Sequence, residues 1–144
     1  MFKHIMVPID LQEATSWARA LPVAAEAAKR DDARLTLMTV MPTSQALALS
    51  LAPGIFAFRL DEMESELAGL RVRLVPPDVP GELIVREGSI YAEILSAARE
   101  LGVDLIVMAS HRPEMKDYLI GSNAARVVRH APCSVMVVRD WPVA

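Results

Sequence analysis

The stretch Leu105-Ile-Val-Met-Ala-Ser-His111, continued by Tyr118-Leu-Ile-Gly-Ser-Asn-Ala-Ala125 and Val127-Val-Arg-His-Ala-Pro-Cys-Ser-Val-Met-Val-Val138, decides the fold. Leu105–Ser110 is a short, unbroken apolar run and reads as a buried strand. His111 opens a polar loop. Gly121–Ser122–Asn123 turns into a helix over Asn123–His130, and Pro132 leads to a last strand, Ser134–Val138. A Gly-Ser pair at a helix start leaves backbone N–H groups free at the positive end of the helix dipole, which suits an anion. A loop rising from the C-terminal end of a strand toward such a helix is where open α/β sheets bind nucleotides. A phosphate-bearing ligand is therefore the first hypothesis.

Working outward, His4–Ile9 is another short apolar run with β-branched members, closed by Asp10. Glu13–Arg30 is rich in Ala and ends in Lys29–Arg30, so it reads as a helix. Ala18, Leu21, Ala25 and Ala28 form its buried face. Pro22 inside it predicts either a kink or a helix that starts later. Arg34–Met41 is the second strand. Pro42–Gly54 reads as a loop, with Ala46–Leu51 able to form a helical turn. Phe56–Arg73 is the second helix, with Leu60, Met63, Leu67 and Leu70 on one face. Pro76–Gly81 breaks the chain. Leu83–Arg86 is a short strand ended by Gly88, and Ile90–Leu101 is a helix closed by Gly102 as its C′ glycine. Five apolar strands alternating with four helices predict an α/β fold with a mostly parallel sheet. No repeat, low-complexity segment or second domain is visible, so residues 1–144 read as one domain.

Size and composition agree. The 144 residues suffice for one domain with its own core, and 53% of them are apolar. No apolar run approaches the roughly 20 residues that span a bilayer. The start, Met1-Phe-Lys-His4, enters a strand without a signal-peptide pattern, and Cys133 is the only cysteine. No internal disulfide can form, and a cytoplasmic location is expected. The net charge of -3, without a basic stripe, argues against a nucleic-acid partner.

Several residues could carry chemistry. Asp10 follows the first strand and reads either as a carboxylate that accepts hydrogen bonds from a ligand or as the N-cap of the next helix. Ser110 and His111 end the fourth strand. His111 reads as a phosphate contact, an acid–base group or a surface residue. Arg112 and Lys116 bring positive charge to the same loop, interleaved with Glu114 and Asp117. Gly121, Ser122 and Asn123 are the sharper signal, although Ser or Asn is also an ordinary N-cap. No GxxxxGK[ST], GxGxxG or GxSxG motif occurs, so P-loop, dinucleotide and triad-hydrolase readings lack support. His4, His111, His130 and Cys133 lack metal-ligand spacing, and Cys133 reads as a buried small hydrophobe.

These residues also resemble a known family. Phe2-Lys-His-Ile-Met-Val-Pro-Ile-Asp10 is similar to the first strand of the universal stress protein family. The segments quoted at the outset resemble its nucleotide-binding segment and last strand. The resemblance runs along nearly the whole chain and is weakest from about Ser44 to Pro80. It implies a Rossmann-like sandwich with one five-stranded parallel sheet in the order 3-2-1-4-5. It implies ATP binding between the C-terminal ends of strands 1 and 4. Pro8, Ile9 and Asp10 would border the adenine and ribose, and Val40 would offer backbone hydrogen bonds to the adenine edge. Met108 and Ala109 would lie beneath the nucleoside, Ser110 would belong to the same nucleotide site, and His111, Arg112, Gly121, Ser122 and Asn123 would face the phosphates. Magnesium or manganese would arrive with the nucleotide. The chain departs from the family's usual Gly, two residues, Gly, nine residues, Gly-Ser/Thr pattern. Ala109 stands for the first glycine, the second has no counterpart, and only Gly121–Ser122 matches.

The family's dimer, formed by pairing last strands, implies contacts through Val135, Met136, Val137 and Val138. An apolar edge strand there points the same way. The function expected is a stress-response regulator that acts as a homodimer, or a tetramer built from it, on an unidentified protein partner. Turnover would be at most slow ATP hydrolysis or autophosphorylation, for instance at Ser122. Two alternatives stand beside it. One is an interaction module of the same fold without nucleotide, using Leu47, Leu49, Leu51, Ile55 and Phe56. The other is a hydrolase or phosphotransferase that depends on His111.

Overall fold

The computed structural model describes residues 1–110 and 122–139, with Ser122 described by its backbone alone. Five strands form one parallel sheet: β1 (His4–Pro8), β2 (Arg34–Pro42), β3 (Leu83–Gly88), β4 (Leu105–Ala109) and β5 (Ser134–Val138), in the order β3-β2-β1-β4-β5. The helices are α1 (Ala20–Asp31), α2 (Thr43–Leu49), α3 (Pro53–Leu74), α4 (Ile90–Leu101) and α5 (Ser122–His130). The central strands are almost continuously apolar because both their faces are covered. Ile5, Val7, Leu35, Leu37, Leu105 and Val107 pack under α1 and α3. Met6, Met38, Ile106 and Met108 pack under α4 and α5. Right-handed crossovers thus leave β1 and β4, which are neighbours, with their helices on opposite faces.

The helix count corrects the sequence reading, since five α-helices stand among the described residues where four were expected. The expected loop Pro42–Gly54 contains α2 and the start of α3. Pro42 sits at the N-cap of α2 and Pro53 in the first turn of α3. A proline costs no hydrogen bond at either place, because the first N–H groups of a helix are unpaired anyway. The first helix also starts later than Glu13. Ala14–Ser16 is a single 3-10 turn and α1 begins at Ala20. Pro22 then falls in the first turn, which resolves its conflict with helix, and Ala18 is exposed outside the helix.

Loop geometry fixes the lower edge of the sheet. Gly102 adopts φ 68° at the end of α4 and caps it with N–H bonds to Ala98 and Arg99 carbonyls, as its position predicts. At Gly81 any Cβ would run into the carbonyl of Leu35 in β2, so a side chain cannot be accommodated. His4 is buried and bridges elements: Nδ1 meets the Leu101 carbonyl at 3.1 Å and Nε2 meets Thr36 Oγ1 at 2.7 Å. Asp104 clamps β1 to β4, accepting from the backbone N–H of Lys3 at 2.9 Å and of His4 at 3.0 Å.

Two outcomes follow. Asp104→Ala should leave those amides without their acceptor and lower the unfolding free energy by about 1–3 kcal/mol, read from urea denaturation, whereas Asp104→Asn retains an acceptor and loses less. Asp31 accepts from the Arg30 side chain and from the Phe2 N–H, which hold its carboxyl down at about 2. An unfolded Asp titrates near about 3.9. Its contribution is therefore present above pH about 4 and lost as pH falls toward 2. Asp31→Asn should flatten the acid limb of a stability–pH profile in that window.

Candidate functional site

The β1–β4 ladder is short. Ile5 pairs with Leu105 and Met6 with Ile106, whereas β1 pairs with β2 through Pro8↔Met38. Pro8 has no N–H to donate across to β4. Above Met6 the two strand ends separate, and a cleft of about 710 Å³ opens there. That volume lies within the roughly 300–1,000 Å³ of ordinary small-molecule sites.

The first wall is the loop after β1. Asp10 Oδ1 accepts from the Gln12 N–H at 2.9 Å, and the Ser16 hydroxyl accepts from Asp10 N–H and donates to Asp10 O. These bonds tie the loop into a closed turn and hold the exposed Asp10 at the cleft. Asp10 is not the N-cap of α1, which starts ten residues later. Of the two readings left open for it, helix capping is thereby removed.

The second wall is the end of β4 with the start of α5. Met108, Ala109, Ser110, Asn123 and Ala124 line it. Ser110 extends the β4–β5 pairing, with its N–H bonded to the Val138 carbonyl at 2.9 Å. Its side chain is buried, 5% exposed, and Oγ has no hydrogen-bond partner among the described residues. A buried hydroxyl without a partner is costly, and one facing a cleft is satisfied when a polar ligand arrives. Arg126 lies 4.5 Å from the centre of the Tyr91 ring, a cation–π contact that braces α5 against α4. Val127 and Ala124 are buried below it, so the N-terminus of α5 is held at the cleft.

The third wall comes from β2, α2 and α3. Val40 at the end of β2 lines the cleft, joined by Gln45, Arg59 and Met63. Arg59 is 15% exposed at its side chain and paired with Glu62 at 2.6 Å and Glu66 at 3.4 Å. Sequence reasoning named Val40 here but missed Gln45, Arg59 and Met63 as site residues. Its signal was nonetheless present, because Arg59 lies four residues before Met63 on the apolar stripe that continues to Leu67 and Leu70.

Of the expected site residues, the structure brings Pro8, Ile9, Asp10, Val40, Met108, Ala109, Ser110 and Asn123 to one cleft. His111, Arg112, Gly121 and the Ser122 side chain lie outside the described residues. Cys133 is half-buried beneath α5 and away from the cleft. Burial, with the Asp104 charge adding to it, pushes its thiol pKa up and keeps it protonated. No group of three or more His, Cys, Asp or Glu among the described residues could hold a metal ion.

The sequence matches the Universal stress protein family over residues 1–139. The chain belongs to that family. Universal stress protein G of Shigella flexneri is 34% identical over 143 residues, which covers 96% of this chain and all of that one. A universal stress protein solved in complex with cAMP superposes with a TM-score of 0.66 at 20% identity, covering 97% of this chain and 98% of that one. A family protein from Arabidopsis thaliana solved with AMP bound gives a TM-score of 0.66 at 15% identity, covering 96% and 92%. At these identities the two solved structures establish the shared fold, in agreement with the sheet order described above.

Ser110 offers a direct check of the cleft. Ser110→Ala removes a buried hydroxyl that has no partner among the described residues, so stability should hold or rise by about 1 kcal/mol, measured by thermal or urea unfolding. A polar ligand of the cleft should bind several-fold more weakly to the same variant.

Proposed function

We propose that this universal stress protein family member is a regulatory protein that binds an adenine nucleotide, ATP foremost, across the C-terminal ends of β1 and β4. The observation that carries this is the buried Ser110 Oγ, without a hydrogen-bond partner among the described residues, at a cleft flanked by the N-terminus of α5. A helix N-terminus and a free hydroxyl suit a phosphate or ribose oxygen. Family relatives solved with AMP and with cAMP support the adenine moiety. Pro8, Ile9, Asp10 and Val40 would border the nucleoside, with Met108 and Ala109 beneath it. His111, Arg112, Gly121, Ser122 and Asn123 would attend the phosphates, which would bring any magnesium or manganese with them. The reading is one of ligand binding that alters an assembly, not of turnover.

The assembly we assign is a homodimer through β5. That strand pairs with β4 along one side, and β4 is its sole partner among the described strands. Val135, Val137 and Val138 are half-buried, and Met136 is 39% exposed. A second copy pairing along this edge would cover both the open backbone and the apolar side chains.

A second reading draws on one observation. Leu47 on α2, Leu51 in the turn between α2 and α3, and Ile55 and Phe58 on α3 are all exposed. An apolar surface of that kind fits an interaction module of the same fold that works on a protein partner without nucleotide.

Nucleotide content and calorimetric titration decide between the two. Protein purified without added nucleotide should release an adenine nucleotide on heating, or bind Mg-ATP, AMP or cAMP more tightly than about 100 μM, roughly 5.5 kcal/mol. An empty protein with flat titrations overturns the nucleotide reading and leaves the interaction module.

A further inference from the structure

The cleft has two ends. α5 and the Ser110 hydroxyl stand at one. α3 packs against β2, β3 and α1, on the opposite face of the sheet from α5. Gln45, Arg59 and Met63 line the cleft on the α2 and α3 side, where the base of a nucleotide with its phosphates at the α5 end would lie.

The chemistry of that end suits a flat heteroaromatic ring. The Arg59 guanidinium is already neutralised by Glu62 and Glu66, two carboxylates on its own helix that are nearly half exposed. Its attraction for a phosphate is offset by that pairing, whereas Arg59 itself still lines the cleft. A guanidinium is weakly hydrated and stacks on ring faces. Met63 is buried beside it and supplies a polarisable thioether, which packs well against aromatic rings. Gln45 is half-buried on α2 and carries both an amide donor and a carbonyl acceptor, the pair that complements the donor–acceptor edge of adenine. Among the described residues that line the cleft, Arg59 is the one with a basic side chain.

We propose that Arg59, Met63 and Gln45 form the base-recognition end of the cleft, with Arg59 stacking on the ring and Gln45 reading its polar edge. This rests on the nucleotide reading above and deepens it. The ligand class it names is a purine nucleoside moiety, recognised independently of its phosphates.

The test is a set of titrations of wild type, Arg59→Lys and Gln45→Ala with adenosine, AMP, Mg-ATP and inosine. Arg59→Lys keeps the charge and the carboxylate partners but loses the plane. It should weaken adenosine, AMP and Mg-ATP by the same factor, about tenfold. Gln45→Ala should shrink the preference for adenosine over inosine, which differ at the edge that Gln45 would read. Both substitutions lie on surface helices, and unchanged melting temperatures would show that the fold is kept. Unchanged affinities in Arg59→Lys, or a loss that grows from adenosine to AMP to ATP, would overturn the proposal. Wild-type protein that binds none of these ligands would overturn the nucleotide reading and this inference with it. Wild-type binding that Arg59→Lys leaves intact would overturn this inference alone.

Discussion

Everything above the sheet depends on how β1 and β4 are joined. At their lower ends the Asp104 carboxylate accepts from the successive backbone amides of Lys3 and His4, at the start of β1, and Asp104 returns its own N–H to the His4 carbonyl. At their upper ends the ladder stops after two residue pairs. A pair of strands clamped at the bottom and released at the top must splay, and crossovers to opposite faces leave no helix to fill the gap. The cleft is thus a consequence of topology before any particular side chain is considered.

What surrounds the gap is unequal. On the α5 side the fixed elements are short and braced, with the Arg126–Tyr91 contact and buried Val127 holding a helix N-terminus in place. On the α3 side a long helix presents a methionine and a tethered arginine. Polar demand is concentrated at Ser110, whose hydroxyl is buried at the point where the two strands part. The two ends therefore ask for different chemistry, one for anionic oxygen and the other for a flat, mostly apolar group.

Most of the architecture was legible because parallel strands buried on both faces leave a plain trace. His4–Pro8 and Leu105–Ala109 are apolar at nearly every position, and Gly102 marks a helix end that only a left-handed residue closes well. The strand order itself came from the family resemblance rather than from periodicity. The errors have one physical origin. Proline reads as a helix breaker, yet Pro22, Pro42 and Pro53 all sit in or before first turns, where no hydrogen bond is lost. The site was half legible for a related reason. Residues at strand ends, such as Asp10, Val40 and Ser110, are placed by the fold alone. Gln45 and Arg59 sit on helices, where a polar side chain looks like a solvent-facing one until the neighbouring wall is known.

The central position of β1 also shapes how the chain can fold. Lys3 and His4 meet Asp104 across about a hundred residues of sequence. A nascent chain emerging from the ribosome can assemble β1, β2 and β3 with α1 to α3 early, but one edge of β1 stays open until β4 appears. That edge is flanked by Ile5, Met6 and Val7, all fully buried in the finished protein. Non-local closure of this kind slows folding and leaves a sticky intermediate exposed meanwhile. The step that completes the sheet is the same one that creates the cleft, so a half-made chain lacks it.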